Sequence, residues 1–497
     1  MRARATATLL GAFVAVAAAP SIPGRAAPAG CPHLGRPAVA ADPRPHSLRA
    51  FAVQFGQDPA RVVSGTSFAT AIDCVMRVEV APYLARGRPN LVVFDEDLGI
   101  ETLAIGRRGA EARKLLRHGV QSCRRHPFSE CATLATLGAL DTGYGRALGY
   151  LEPRFPSLRG ELGRSFVAAT DTFVRVFVAT MAAEARRYGV YVIASNVQAP
   201  FRVTSDARAI AALRDPGAPG TRFVYAPTRG RPYDQAFLWG PHNVHPGKPQ
   251  PIANLLAVNR KLPLTPFEQA LGLAPGPARG PAARANLRPV PIPGTGARLG
   301  FATSLPAFVY GTARRGHECD DVALTYMRCL NRLGANVLIQ ADANDGSWTG
   351  PDGSDTAERW QPLSWMGSAW RAVSDPSVRF TYAVNPMMVG NLSDTPFDGQ
   401  SAILERGRRG GGCHYVGNRA FLPGEDDPAF RRYAGAKPQF LALAPWAVPD
   451  GPRSRLRAIG AALAASTRRY RYVRTALVAD LPFPAERSRR GCVVAGR

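Results

Sequence analysis

The chain has 497 residues, 46% of them hydrophobic and 20% charged, a balance that excludes a disordered polymer and allows two ordinary domains or one large decorated one. Its formal charge of +25 would draw polyanions such as an anionic cell surface. The arginines are spread along the chain, however, and no basic module interleaved with aromatics occurs, so a specific nucleic-acid role is set aside.

Arg2 and Arg4, the apolar run Leu9 to Ala19 and the small residues and prolines through Ala27 follow the order of a secretory signal peptide. Residues 1–27 are therefore predicted to be a leader and 28–47 a linker, and the mature protein to be exported and soluble. Ala29-Gly30-Cys31 offers lipid anchoring at Cys31 as an alternative, against which Pro28 stands where an aliphatic residue is expected. Eight cysteines in an exported chain predict disulfides. Cys123 and Cys131 bracket a polar loop and form the first expected bridge; Cys31, Cys74, Cys413 and Cys492 would supply one or two more, in pairings the sequence leaves open. No Cys/His spacing suggests zinc, and no cofactor or metal is expected.

Leu48 to Phe55 reads as a strand, helical spacing runs from Ser67 to Arg86, and Leu91 to Phe94 reads as a second strand ending in Asp95-Glu96-Asp97. A carboxylate at the carboxyl end of a strand is where open α/β sheets place chemistry; its plain alternative is a solvated charge. Ser64-Gly65-Thr66-Ser67-Phe68-Ala69-Thr70 imitates the serine motif of subtilisin-like proteases, but too little chain precedes it to hold their Asp and His, and Ala71 stands in place of the usual proline. Gly99 to Gly163 reads as an insertion with helical pieces. A helix from Phe166 to Tyr188 closed by Gly189, a strand Val190 to Ser195 and a strand Ala236 to Trp239 follow. Residues 274–295, rich in Pro, Gly and Ala, form a surface excursion.

Gly316-His317-Glu318-Cys319-Asp320-Asp321 then leads into an amphipathic helix that Gly334 ends. A cysteine opening a helix sits in the positive end of the backbone dipole, which favours the thiolate, so Cys319 is a candidate nucleophile. Its plain alternative is a structural or disulfide-bonded cysteine. Cys329 reads as core and His317 as a loop residue. Further strands are expected at Val337 to Ala341, Arg379 to Val384, Phe397 to Ile403 and Tyr472 to Leu481, with helices at Trp360 to Val373 and Arg453 to Ser466.

Glu96, Lys261 and Cys319, falling in that order at strand ends and loops, resemble the nitrilase or carbon-nitrogen hydrolase superfamily. Ala52-Val53-Gln54 resembles its opening strand, Leu91 to Glu96 the strand ending in its glutamate, and Tyr188 to Val192 its middle strand. Arg260-Lys261 with Leu264, Pro266, Phe267 and Glu268 resembles its lysine motif, and Cys319-Asp320-Asp321 its pattern of cysteine, any residue, acid. Gln400 to Ile403 and Ala476 to Asp480 resemble its closing strands. The resemblance implies an α-β-β-α sandwich over residues 48–482, with insertions near 100–163 and 270–316, a tail over 483–497, and a homodimer across a helical face.

It also implies a thiol hydrolase of a non-peptide carbon-nitrogen bond, amide in preference to nitrile. Cys319 would attack the substrate carbon, Glu96 would take the proton and later activate water, and Lys261 with the backbone N–H after the nucleophile would hold the oxyanion. Glu268 resembles the family's second glutamate, at a spacing one residue short. Export and the decorated entrance resemble the vanin and biotinidase branch, without any residue fixing that substrate. Two alignments of the nucleophile stay open. In one, residues 304–318 are an insertion and Cys319 is the nucleophile; in the other, the apolar stretch Leu299 to Thr303 runs straight into Ser304, which takes the family position in an altered or silent enzyme. A silent binding or surface protein on the same scaffold is the competing expectation.

Overall fold

A computed structural model describes residues 31, 34–118, 123, 131–344, 361–392, 395–407, 413–415, 440–445, 447–449, 453–467, 469, 471–485 and 492–495. The expected leader, residues 1–27, lies outside them. Two seven-stranded sheets dominate. The first runs, in spatial order, Ala38–Ala40, Thr475–Leu481, Leu48–Gln54, Asn90–Val93, Tyr191–Gln198, Tyr233–Trp239, Leu255–Arg260. The second runs Val290–Pro291, Arg298–Phe301, Val337–Ile339, Tyr382–Asn385, Ala402–Glu405, Phe440–Leu443, Val493–Val494.

Alternation along each strand explains why two sheets stack. Ala50, Ala52, Leu91, Val93, Ile193 and Leu238 of the first sheet meet Leu299, Phe301, Val337, Ile339, Tyr382 and Val384 of the second in one apolar layer. The opposite pleats of the first sheet, Phe51, Val53, Val92, Val192 and Phe237, bury against Phe68, Ile72, Met76, Phe177 and Met181. Those of the second, Leu338, Ala383 and Leu404, bury against Val322, Tyr326 and Leu330 of one helix and Ala369, Trp370 and Val373 of another. The architecture is therefore the expected α-β-β-α sandwich.

Most expected elements recur with shifted ends. The first helix spans Gly65–Val75 and continues through a π-helical turn, Met76–Val80. Its N-cap settles the protease-like motif: Ser64 Oγ accepts the Ser67 N–H at 3.1 Å, and Ser67 Oγ in turn accepts the Ser64 N–H at 2.9 Å. These serines form a capping box. The predicted helix from Phe166 to Tyr188 is broken into Arg164–Ala168, Thr170–Phe173, the π-helical stretch Val174–Val178 and Ala179–Tyr188, with Gly189 in the left-handed conformation at φ +64°.

The inserted helices Ala110–His118, Cys131–Gly143 and Gly145–Leu151 build a core of their own around Tyr144, Leu148 and Phe166, and that core includes Leu264 and Leu271. The insertion thus braces the loop that follows Lys261. The stretch 270–316 contains two strands of the second sheet, Val290–Pro291 and Arg298–Phe301, and so belongs partly to the framework.

Four disulfides join Cys31 to Cys74, Cys123 to Cys131, Cys319 to Cys329 and Cys413 to Cys492. The Cys123–Cys131 bridge is the one expected. Cys31, bonded to Cys74, has no thiol to offer a lipid. Among the described residues no helix is long and apolar enough to cross a membrane.

Glu79, on the π-helical turn, is buried; Oε2 accepts the Ala476 N–H at 3.1 Å and Oε1 has no partner. Burial pushes its carboxyl up to about 8. A carboxyl that holds its proton more tightly in the fold than in the open chain stabilises the fold at acid pH, and that stability drains away as pH climbs from about 4.5 to about 8. Glu79→Gln keeps the neutral shape. The expected outcome is a flatter fall of unfolding free energy over that interval, by a few kcal/mol, in urea titrations at a series of pH values; an unchanged slope would show that Glu79 does not hold its proton in the fold.

Candidate active site

The site forms where strand ends of both sheets converge. Asn90–Val93 delivers Glu96 and Leu255–Arg260 delivers Lys261 from the first sheet. Arg298–Phe301 and Val337–Ile339 deliver Ser304 and Ala343 from the second. Lys261 Nζ donates to Glu96 Oε1 and to Glu268 Oε1, both at 2.6 Å, and lies 3.3 Å from Asp234 Oδ2. All four side chains are buried. The second oxygen of Glu96 reaches across to the other sheet and accepts the Ala343 N–H at 2.7 Å.

Local structure places each group. Thr265 Oγ1 accepts the Glu268 N–H at 3.2 Å while Glu268 Oε2 accepts the Thr265 N–H at 2.6 Å, a capping box that starts the short helix Pro266–Ala270. Glu268 therefore caps with one oxygen and pairs with Lys261 through the other. Asp97 adopts φ +58° and donates its N–H to Ser195 Oγ at 2.7 Å, which turns the chain just after Glu96. Lys261 is tied to its neighbouring strand by its N–H, which donates to the Asp234 carbonyl at 2.9 Å.

Glu96, Asp234 and Glu268 have carboxylate oxygens within 4.8 Å of one another, a set able to hold a metal ion. The cation at their centre is instead the Lys261 ammonium. Burial pushes Glu96 up to about 8, with the lysine charge opposing that rise. Burial alone would push Lys261 down, but Glu96, Asp234 and Glu268 together hold it well above the usual lysine value. Asp234 and Asp97 are raised well above the usual carboxyl range, chiefly by burial.

Glu96, Lys261 and Glu268 are thus brought together and Cys319 is not. Cys319 Sγ is bonded to Cys329 Sγ, so neither is a free thiol. The helix begins after Asp321, its N-cap, rather than at Cys319. The two acids of the Cys-Asp-Asp motif serve structure: Asp321 Oδ1 accepts the Ala323 N–H and its Oδ2 pairs with Arg279 at 2.6 Å, while Asp320 pairs with His317 at 2.8 Å on the surface.

Ser304 takes the strand-end position. Its N–H donates to the Ala341 carbonyl at 3.0 Å, two residues before the N–H that holds Glu96. It is buried and sits at φ +57°, ψ −121°, a conformation that an L side chain rarely adopts. Such strain persists where the surroundings over-determine it, and it clusters at functional positions. Asp234 escapes a sequence reading that starts its strand at Ala236; the strand runs from Tyr233, and the polar Tyr-Asp-Gln entry is the available signal.

No family model matches this chain, and no curated protein matches it. Solved nitrilase-superfamily structures do. An amidase from Nesterenkonia sp. AN1, seen after Michael addition of acrylamide at its active-site cysteine, is 13% identical, covers 72% of this chain and 85% of its own, and has a TM-score of 0.33. A carbon-nitrogen hydrolase from Helicobacter pylori G27 is 12% identical, covers 72% and 82%, and has a TM-score of 0.35. Likeness at that level transfers neither residues nor chemistry to this chain, whose functional reading rests on the geometry of its own site.

Two outcomes check the site. Under denaturing, non-reducing conditions iodoacetamide is expected to add to no cysteine, and a digest to yield the Cys319–Cys329 pair; labelling at Cys319 would return the thiol to candidacy. Ser304→Gly, which relieves the positive φ, is expected to stabilise the fold by about 1 kcal/mol in chemical denaturation. A loss of stability would show that Ser304 is not strained.

Proposed function

We propose that the protein is an exported hydrolase of a non-peptide carbon-nitrogen bond, acting on an amide with Ser304 Oγ as the attacking group. The observation that carries this reading is the strained Ser304 at a strand end, whose N–H donates to the Ala341 carbonyl two residues before the Ala343 N–H that fixes Glu96. A hydroxyl yields its proton less readily than a thiol, and a carboxyl pushed up to about 8 is a stronger base than an ordinary one. Four disulfides support export to an oxidising compartment.

In the proposed cycle Ser304 Oγ bonds to the amide carbon while Glu96 takes the hydroxyl proton. Lys261 balances the charge that develops on the carbonyl oxygen. The carbon-nitrogen bond then breaks, the amine leaves with the proton from Glu96, and an ester to Ser304 remains. Water attacks that ester, Glu96 takes its proton, and the acid departs as the proton returns to Ser304 Oγ. A second reading, a silent binding protein, is favoured by one observation: both Glu96 oxygens are already engaged, by Lys261 Nζ and by the Ala343 N–H.

A panel of simple amides and nitriles separates the two. Turnover of an amide is expected, abolished in Ser304→Ala and Glu96→Gln and retained in the double variant Cys319→Ser/Cys329→Ser. Its kcat/KM is expected to rise with pH and level off above about 8, as Glu96 loses its proton. Turnover that survives Ser304→Ala rejects the serine; no turnover anywhere on the panel moves the conclusion to the silent protein.

A further inference from the structure

The charges around Lys261 do not balance. Ionised together, Glu96, Asp234 and Glu268 would set three buried negative charges against one ammonium. Asp97 and Asp342, both buried, lie within electrostatic reach of Lys261 as well. A surplus of buried charge is removed by protonation rather than tolerated.

The hydrogen-bond donors indicate which group takes the proton. Glu96 accepts Lys261 Nζ on one oxygen and the Ala343 N–H on the other. Glu268 accepts Lys261 Nζ on one oxygen and the Thr265 N–H on the other. Asp234 is different: its nearest cation is 3.3 Å away and neither of its oxygens accepts a hydrogen bond. A buried carboxylate without donors is costly, whereas a carboxylic acid becomes a donor itself, and Glu268 lies within hydrogen-bonding reach of it.

We infer that Asp234 is a resident neutral acid, its carboxyl proton directed at Glu268, and that its neutrality leaves Glu96 free to ionise as the base. The second half rests on the proposed hydrolase reading; the first does not. Were Asp234 charged, its repulsion would add to that of Glu268 and keep the proton on Glu96. Asp234 touches no reacting atom in this scheme and acts through Lys261 and Glu268 as a positioning residue. Asp342 is held otherwise, its Oδ2 accepting from Gln340 Nε2 at 2.9 Å and Asn385 Nδ2 at 2.7 Å, so it does not share this proton.

The test is carbon NMR on full-length protein carrying labelled aspartate and glutamate, with each carboxyl assigned through bonds to its own backbone. Asp234 is expected to keep the shift of a protonated acid across the whole range in which the Glu96 carboxyl titrates. In Asp234→Asn, one neutral group replaces another and the Glu96 midpoint is expected to stay where it is. A carboxylate shift at Asp234 below the Glu96 midpoint, or a fall of that midpoint in Asp234→Asn, overturns the inference. If the variant does not fold, the wild-type titration alone decides. No substrate enters the measurement, so a failed turnover panel leaves this result standing, and an ionised Asp234 leaves the hydrolase reading to be judged on turnover.

Discussion

A single ammonium removed from water is the constraint around which the rest of the molecule is arranged. Lys261 Nζ lies among carboxyl groups from a strand end, a neighbouring strand and a short helix, and every one of them must be delivered to within hydrogen-bonding or ion-pairing reach. Breaking a buried pair by losing one partner costs about 3 to 5 kcal/mol, so the elements that deliver these groups cannot drift independently. That explains the inserted helices. Their core reaches Leu264 and Leu271 on either side of Glu268, and the Gly163 N–H donates to the Leu271 carbonyl at 2.9 Å, which ties the Glu268 segment to the insertion.

The second sheet contributes backbone geometry to that centre and, in Asp342, a buried carboxyl within electrostatic reach of Lys261. Its strands present an N–H to Glu96 and hold Ser304 in a backbone conformation it would not adopt alone. The disulfides act away from this point. Cys319–Cys329 ties the loop after Ser304 to the helix Val322–Arg332, and Cys31–Cys74 ties the start of the described chain to the helix Gly65–Val75. The cysteines of this protein hold chain segments together, while the polar chemistry is concentrated at the strand ends.

Much of this is legible in the sequence, for identifiable reasons. The apolar runs at Leu48 to Phe55, before Glu96 and at Val337 mark the strands because short, nearly continuous apolar segments are what strands buried on both faces require. Glu96, Lys261 and Glu268 are recognisable through the family resemblance, Glu268 at a spacing one residue short. Cys319 misleads because a cysteine followed by acids before a helix looks the same whether its sulfur is free or bonded; only the three-dimensional approach of Cys329 decides. Asp234 is invisible for a related reason. Its importance comes from a neighbour across the sheet, since Lys261 donates its N–H to the Asp234 carbonyl, and that register is not written in either segment alone.

The double engagement of Glu268 has a consequence for how this protein can change. One of its oxygens starts a helix and the other neutralises a buried cation, so removing it disturbs folding before it disturbs any reaction. A descendant that abandoned chemistry would still be obliged to retain this acid in order to stay folded. Finding the residue in place in any relative therefore testifies to an intact scaffold and is silent about turnover; the position on which the proposed chemistry turns is Ser304, whose side chain caps no helix.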